Sequence, residues 1–409
     1  MVANYGLGLW LTFLVADGPR PRLRSAVLIL GVTLNLVALV YYKYSDFLLR
    51  NLNLTLRAHF HLPHLVLPLG ISFFTFTQIA YLVDCYREKA RVYRWVDYGL
   101  FITFFPHLLA GPIIHHSEMM PQFEERSNKT INFQNIARGL FIFAIGAVKK
   151  LRIADAIATW VGPGFDSHNG PITFIPAWIA TISYTLQIYF DFSGYTDMAI
   201  GSALIFNIQL PENFNSPYHA SNIQDFWRRW HMTLSRWLRD YLYIPLGGSR
   251  GSKTETYRNM IVTFLLGGLW HGASWTFVAW GAMHGIGSAI HRAWQGTGRK
   301  LNRVPATLLT LLFVHCAWVF FRASSFASAA RMFRGLAGFN GLGAWDHAAR
   351  VPVPLILVAI LIAACPKNTF RMLETFRPTL GRFAYGCLMI AIAFYSLLSS
   401  HKEFLYFNF

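Results

Sequence analysis

The segment GGLWHGASW, residues 267–275, holds one titratable side chain, His271, between Trp270 and Trp275. No Asp, Glu, Lys or Arg occurs from Asn259 to His291. In such apolar surroundings an imidazole stays neutral near pH 7 and can accept a proton, and flanking glycines would let a substrate approach the backbone. His271 is therefore either a general base acting on a hydroxyl or a packing residue. Local sequence alone favours packing.

A second polar stretch, QIYFDFSGYTDMAIG at residues 187–201, carries Asp191, Ser193, Tyr195 and Asp197 between apolar segments. A carboxylate at membrane depth costs several kcal/mol and normally faces a bundle interior or a cavity. These side chains are therefore candidates for substrate binding. Two alternatives stay open, namely a loop at the membrane interface and ion pairs with arginines of the next segment.

That next segment, SNIQDFWRRWHMTLSRWLRDYLYIPLGGSRG, begins at Ser221, and Gln224 three residues later predicts a capping-box helix start. One face of the predicted helix is apolar and consists of Trp227, Trp230, Leu234, Trp237, Leu238 and Tyr241. His231 lies one turn from Trp227. Four basic residues are candidates to bind a phosphate-bearing ligand, namely Arg228, Arg229, Arg236 and Arg239. Anchoring to lipid headgroups alone is the alternative.

The spacing of residues in the sequence does not support a serine-hydrolase, metal-dependent or nucleotide-binding site. The sequence lacks a G-x-S-x-G elbow, an H-E-x-x-H metal motif, a Walker loop and a dinucleotide fingerprint. HHSE at residues 115–118 has no further ligands nearby, and the four cysteines are interpreted as small buried hydrophobes. His284 and His315 are interpreted as packing residues. We expect no metal and no tightly bound cofactor.

The elements that must position these residues are membrane elements. The chain has 409 residues, of which 54% are hydrophobic and 13% charged, whereas soluble domains contain about 25% charged residues. The net charge of +17 sits largely in short connections such as 20–24, 87–94 and 149–152, as expected for cytoplasmic loops and interfacial anchors. Nucleic acid is therefore not an expected partner, whereas membrane lipids are.

The apolar segments predict an all-α, polytopic helical bundle of about eleven hydrophobic segments. Proline and glycine interrupt the apolar runs at 67–74, 104–112 and 267–272, which predicts broken or re-entrant helices around an internal space. The segments are 2–16, 25–42, 58–83, 98–117, 139–148, 171–190, 198–210, 259–291 as two passes, 304–321, 351–366 and 383–400.

Three long motifs in order resemble the membrane-bound O-acyltransferase family, in its bacterial branch of alginate O-acetylation and teichoic-acid D-alanyl transfer proteins. The motifs are YFDFSGYTDMAIG, PENFNSPYHASNIQDFWRRWHMTLSRWLRDYLYIPLGG and LLGGLWHGASWTFVAWGAMHG. The resemblance covers residues 43–321 and is closer to the alginate type. It implies one integral-membrane acyltransferase domain over 1–409, with C-terminal membrane helices in 322–409. Members of this type usually begin with further apolar segments, so we expect this chain to be short there, as a compact variant or through an internal start.

The resemblance implies roles for named residues. His271 corresponds to the essential histidine of the family, and His231 to a second histidine of this branch. Such proteins contain a central tunnel and take an acyl group from a cytoplasmic thioester, such as acetyl-CoA. We expect His271 to deprotonate the acceptor hydroxyl, Trp270 and Trp275 to shape the pocket, and His231 to orient the donor or stabilise negative charge.

The expected function is acyl transfer to a cell-surface polysaccharide or a partner acyltransferase outside the cytoplasm, by a multi-pass protein of the inner membrane. D-Alanyl and peptidoglycan acyl transfer are alternatives within the same class. A membrane transporter and a docking protein without turnover are the alternatives from other classes.

Overall fold

The computed structural model describes residues 1–16, 20–90, 93–108, 111–166, 170–345, 347–365 and 367–399. These residues form helices and turns, with no β-strand among them, which confirms the all-α prediction. They divide into two compact units, Met1–Ile136 with Ser202–Pro211 and Ala137–Gly201 with Glu212–Phe409. The single functional domain over 1–409 stays a prediction.

In the first unit, α1, α2 and α4 pack together, and the paired side chains of Asn4 and Asn35 exchange hydrogen bonds of 3.0 and 2.8 Å within this packing. The breaks at 67–74 and 104–112 are confirmed, because α4 begins after Gly70 and α5 ends before Phe104. The helices are α1 Val2–Ala16, α2 Pro21–Leu39, α3 Ser45–Leu56, α4 Ile71–Tyr86, α5 Trp95–Thr103, α6 Phe105–Leu108 and α7 His116–Glu124.

The remaining helices are mostly those of the second unit, and π-helical turns at Lys149–Ala154 and Arg239–Tyr243 interrupt the regular α pattern. They are α8 Phe133–Val148, α9 Asp155–Ala158, α10 Gly162–Phe165, α11 Phe174–Ile205, α12 Ile223–Trp227, α13 Met232–Leu238, α14 Lys253–His271, α15 Trp275–Gln295, α16 Arg303–Arg322, α17 Phe326–Leu336, α18 His347–Arg350, α19 Val353–Ala363, α20 Thr369–Glu374 and α21 Leu380–Ser399.

The structure limits one apolar run and decides between two alternatives. The run 58–83 is helical only from Ile71, since residues 58–68 have no regular structure. The stretch 187–201 is not a loop, because α11 runs through it as one helix of 32 residues. Close packing explains the second result: a Cβ at Gly194 would lie 2.7 Å from the Gly146 carbonyl of α8.

Three segments among the described residues are long and apolar enough to cross a membrane, namely Pro21–Leu56, Arg303–Arg322 and Leu380–Leu398. Val2–Val15 and Val353–Ala363 are shorter apolar helices. The run 259–291, expected to make two passes, forms two helices, α14 and α15, of 19 and 21 residues, and neither is among the three candidate spans of the described residues. The runs 98–117, 351–366 and 383–400 each include residues that lie outside the described ranges.

Candidate active site

His271 is the last residue of α14 and is only 4% exposed. Its imidazole is surrounded by aromatic rings, with centroids 4.9 Å from Trp270, 5.1 Å from Trp280 and 5.1 Å from Phe321. The contacts with Trp280 and Phe321 are edge-to-face, which is the favoured geometry for aromatic pairs. The ring is therefore fixed in orientation by packing from α14, α15 and α16.

Local sequence explains how α14 and α15 hold this position. Ser252 and Glu255 form a capping box that starts α14, and Ser274 caps α15 by accepting from the Thr276 amide at 3.3 Å. Gly268 faces the α15 backbone so closely that a Cβ there would lie 3.1 Å from Gly281. Gly268 and Gly281 thus permit close contact between α14 and α15. The backbone at Gly268 is covered by α15, so the expectation that this glycine lets substrate approach is wrong.

His231 lies between α12 and α13 in a left-handed backbone conformation, with φ 43° and ψ 54°. Such a conformation costs a non-glycine residue about 1–3 kcal/mol. It breaks the single amphipathic helix expected from Ser221 onward, and the N-cap is Asn222 rather than Ser221. The reason is tertiary: the amide of Met232 donates to the Asn213 carbonyl at 3.0 Å, replacing a bond within the helix.

Asn213 also fixes the hydrogen on the imidazole of His231. Asn213 Oδ1 accepts from the Thr233 amide at 3.2 Å and from the Thr233 hydroxyl at 2.8 Å, so this position of the side chain must be oxygen. His231 Nδ1, 3.1 Å from the same oxygen, is therefore the donor. In the neutral ring Nε2 then carries the lone pair. His231 can accept a proton or a hydrogen bond through Nε2.

Trp270 connects the two histidines. Its ring centroid lies 4.9 Å from His271 and 6.5 Å from His231. His231 is completely buried and packs edge-on against Phe192 of α11 at 4.7 Å. The structure therefore brings together three of the predicted site residues, His271, His231 and Trp270. Trp275, at the start of α15, is 54% exposed.

The other two apolar histidines are hydrogen-bonded packing residues, as predicted. The Trp227 indole donates to His284 Nδ1 at 3.2 Å, and His284 is fully buried. His315 pairs with the Thr185 hydroxyl at 2.9 Å and stacks on Trp178.

The two predicted carboxylates of α11 lie in buried ion pairs. Lys150 Nζ contacts Asp191 at 2.8 Å and Asp155 at 2.6 Å, and Lys149 Nζ contacts Asp197 at 2.6 Å. The expectation that they pair with arginines of the next segment is wrong. So is the interpretation of Lys149 and Lys150 as interfacial anchors, because the π-helical turn that contains both lysines directs them toward α11.

Ser193 and Asp197 share a face of α11 and line a small cavity with Lys149, Glu212 and Asn213. Its volume is about 20 Å³, room for roughly one water. Ser193 Oγ, Asn213 Nδ2 and Glu212 Oε1 are buried there without a hydrogen-bond partner among the described residues. Asn213 thus faces His231 with its oxygen and lines a polar cavity. Tyr195 is half-buried.

The four predicted arginines do not form one cluster. Arg229 donates to Asp225 at 2.9 Å, and Arg239 donates to Asp240 at 2.7 Å. Arg228 is exposed, and Arg236 is half-buried on α13. At least two of these guanidinium groups are therefore already paired with carboxylates of the same chain.

Sequence reasoning missed Asn213, Trp280, Phe321 and the pair of buried lysines. Trp280 follows His271 by nine residues, and only its aromatic type could have indicated that it belongs to the site. Asn213 stands in the PENFN stretch, which carries no spacing that would connect it to His231 eighteen residues later. Only the contact between these two residues identifies its role.

Comparison with known proteins identifies the family of this chain. The sequence profile of the membrane-bound O-acyltransferase family matches residues 30–330. The chain is 45% identical to the peptidoglycan O-acetyltransferase of Helicobacter pylori, over 93% of this chain and 82% of that protein. It is 44% identical to a probable alginate O-acetylase of Pseudomonas aeruginosa, over 84% of this chain and 65% of that protein.

A more distant relative is the teichoic acid D-alanyltransferase of Bacillus subtilis, 29% identical over 62% of this chain and 66% of that protein. The greater similarity to O-acetylating relatives than to this D-alanyl relative confirms the resemblance drawn from the motifs. The chain belongs to the membrane-bound O-acyltransferase family and is a membrane O-acyltransferase.

Proposed function

We propose that this chain transfers an acetyl group from a thioester donor, such as acetyl-CoA, to a carbohydrate hydroxyl, and that His271 is the general base that deprotonates this hydroxyl. The observation that carries this proposal is the arrangement His271–Trp270–His231, in which two buried imidazoles flank one indole. A buried neutral imidazole is suited to proton abstraction, and positioned acid–base groups contribute about 10²–10⁴-fold to rates.

The proposed reaction is a direct acyl transfer from the thioester to the acceptor hydroxyl. The acceptor oxygen attacks the thioester carbonyl while His271 takes the hydroxyl proton. The new C–O bond forms, the C–S bond breaks, and the thiolate leaves and recovers the proton from the imidazolium. No other co-reactant is needed.

The tautomer of His231 refines its proposed role. Because Nδ1–H is held by Asn213, Nε2 of the neutral ring is an acceptor and does not donate to an oxyanion. We therefore assign His231 to orienting a donor N–H or O–H group through Nε2. Stabilisation of negative charge by a neutral His231, the other expected role, does not fit this tautomer.

The names of two relatives support a proposed class of acceptor. One is named for peptidoglycan and one for alginate, and both polymers present sugar hydroxyls. We propose that this chain acetylates a cell-envelope polysaccharide, directly or through a partner acyltransferase, from the inner membrane. Tyr195, Trp275 and the arginines stay candidates for substrate contact.

The experiment is to incubate membranes containing the wild-type chain or His271→Ala with acetyl-labelled acetyl-CoA and to separate peptidoglycan, exopolysaccharide and protein. We expect label in one polymer with the wild type and loss of that label with the variant at equal abundance. Label that crosses the membrane without reaching any acceptor would instead support transport.

A further inference from the structure

A second, larger cavity lies in the same unit, between the end of α15, the start of α12 and the first half of α16. Its volume is about 1010 Å³, at the upper end of the ~300–1,000 Å³ typical of ligand sites. One part of its wall is apolar and is formed by Ile223, Ile290, Trp294, Leu309 and Phe313.

The other part of the wall is cationic. Arg299 and Lys300 line the cavity on the connection from α15 to α16, Arg303 lines it as the first residue of α16, and none of the lining residues is acidic. No carboxylate among the described residues forms an ion pair with these three side chains. His291 Nε2 is buried in the same wall without a hydrogen-bond partner in the described part of the chain. The cavity therefore offers uncompensated positive charge and one polar group beside an apolar surface.

Part of the apolar wall lies on a candidate membrane span. Arg303–Arg322 is a candidate membrane span, and Leu309 within it is 60% exposed. Ile290 on α15 is 64% exposed. The cations stand at the beginning of that span, where a headgroup would lie. Lys and Arg beside a membrane surface attract anionic lipids, with about 1 kcal/mol for each.

We propose that this cavity binds an anionic glycerophospholipid. The phosphate lies against Arg299, Lys300 and Arg303, an ester group lies near His291, and an acyl chain follows Leu309 and Phe313. The site is separate from His271, since α15 starts four residues after His271 and the cavity residues of α15 lie 12–20 residues further along, which is roughly 18–30 Å of helix.

The experiment measures lipid retained by the full chain. The protein is reconstituted in nanodiscs of phosphatidylcholine and phosphatidylglycerol at four to one, re-extracted in neutral detergent, and analysed by lipid mass spectrometry. The wild type is expected to retain phosphatidylglycerol above its bilayer share. Removing the three cations of the cavity wall in R299Q/K300Q/R303Q should lower this enrichment, by about fivefold for each cation that contacts the phosphate.

Two further variants test the apolar part with the cations intact. Ala306 lines the cavity and is half-buried, so Ala306→Phe should exclude the acyl chain and reduce retention. Leu309→Gln, at an exposed position, should do so more weakly. Inorganic phosphate at millimolar concentration should not displace the lipid.

The matched control removes three cations at and just before the start of α14, in R250Q/K253Q/R258Q, and should retain lipid as the wild type does. Equal loss in the control would show general charge attraction and overturn the site. Unchanged retention in both Ala306→Phe and Leu309→Gln would overturn the acyl-chain groove. Stoichiometric displacement by acetyl-CoA would identify a donor site instead of a lipid site.

Discussion

The two histidines of the candidate site are held in different ways. His271 ends a regular helix and is fixed by aromatic rings, two of them within nine residues of it in sequence. His231 lies in a left-handed turn and is fixed by a hydrogen bond to Asn213 from a separate loop. Packing against aromatic rings fixes the orientation of the first ring, whereas the hydrogen bond to Asn213 fixes both the orientation and the tautomer of the second.

This difference suggests that the two histidines have different roles, proton abstraction for His271 and positioning for His231. The apolar surroundings of His271 favour the neutral ring, which is the form that a general base needs. A ring held through Nδ1 presents one defined nitrogen and is suited to positioning. The following four predictions test this comparison.

The largest effect is expected for His271→Gln. Because the proposed base is removed, acetyl transfer should fall by about 10²–10⁴-fold, measured as label transferred per folded protein. His315→Gln is the control, since His315 is also buried in a helix and hydrogen-bonded. That control should lower abundance or thermal stability more than turnover per folded molecule. Equal activity of the His271 variant and the wild type would remove His271 from the mechanism.

The second-largest effect is a loss of stability when Lys150, the cation paired with Asp191 of α11, is removed. Lys150→Met leaves Asp191 and Asp155 buried without their cation, which typically costs about 3–5 kcal/mol, so the yield of folded protein and its unfolding temperature should fall. Lys150→Met with Asp155→Asn and Asp191→Asn should recover much of the loss. Arg239→Met, which breaks an exposed pair with Asp240, should change stability by at most about 1 kcal/mol. A similar loss in both single variants would contradict a structural role for the buried pairs.

The third effect tests Asn213 as a positioning residue for His231. Asn213→Leu removes the acceptor of Nδ1–H, and a loss of about 1.4 kcal/mol would lower acetyl transfer about tenfold. Asn213→Asp keeps an acceptor oxygen but adds a negative charge, which favours the protonated imidazole.

The pH profile distinguishes the two variants of Asn213. The low-pH limb of activity should move to higher pH in Asn213→Asp, because His231 becomes protonated more readily. It should stay in place in Asn213→Leu. Identical profiles in both variants would show that Asn213 acts only through stability.

The smallest effect is a pH dependence of stability at Glu212. Burial, and then repulsion from Glu374, raises the pKa of Glu212 from 4.5 to about 7. A pKa that is higher in the folded state gives a contribution to stability that is present below pH 4.5 and is lost as pH rises through 7. Glu212→Gln removes this loss, so its unfolding temperature relative to the wild type should increase from pH 5 to pH 8. A constant difference across that range would contradict this pKa.

Much of the fold was predictable for physical reasons. Apolar runs of sufficient length predict helices, and proline and glycine mark where they break, as at Gly70 and Gly272. For 187–201 the sequence left a loop and a buried segment as alternatives, because polar residues within apolar runs fit both. The partners of its carboxylates could not be foreseen either. Lys149 and Lys150 directly follow the apolar run 139–148 and reach Asp197 and Asp191 across 48 and 41 positions of sequence.

The sequence by itself determined the family and the membrane setting and singled out His271 as a candidate, since these depend on composition and on motifs whose residues are neighbours in the chain. Only the tertiary structure decided the tautomer of His231, the partners of Asp191 and Asp197 and the break between α12 and α13. Each of these depends on a side chain from a distant segment, and the energy of such a contact is not encoded in local spacing.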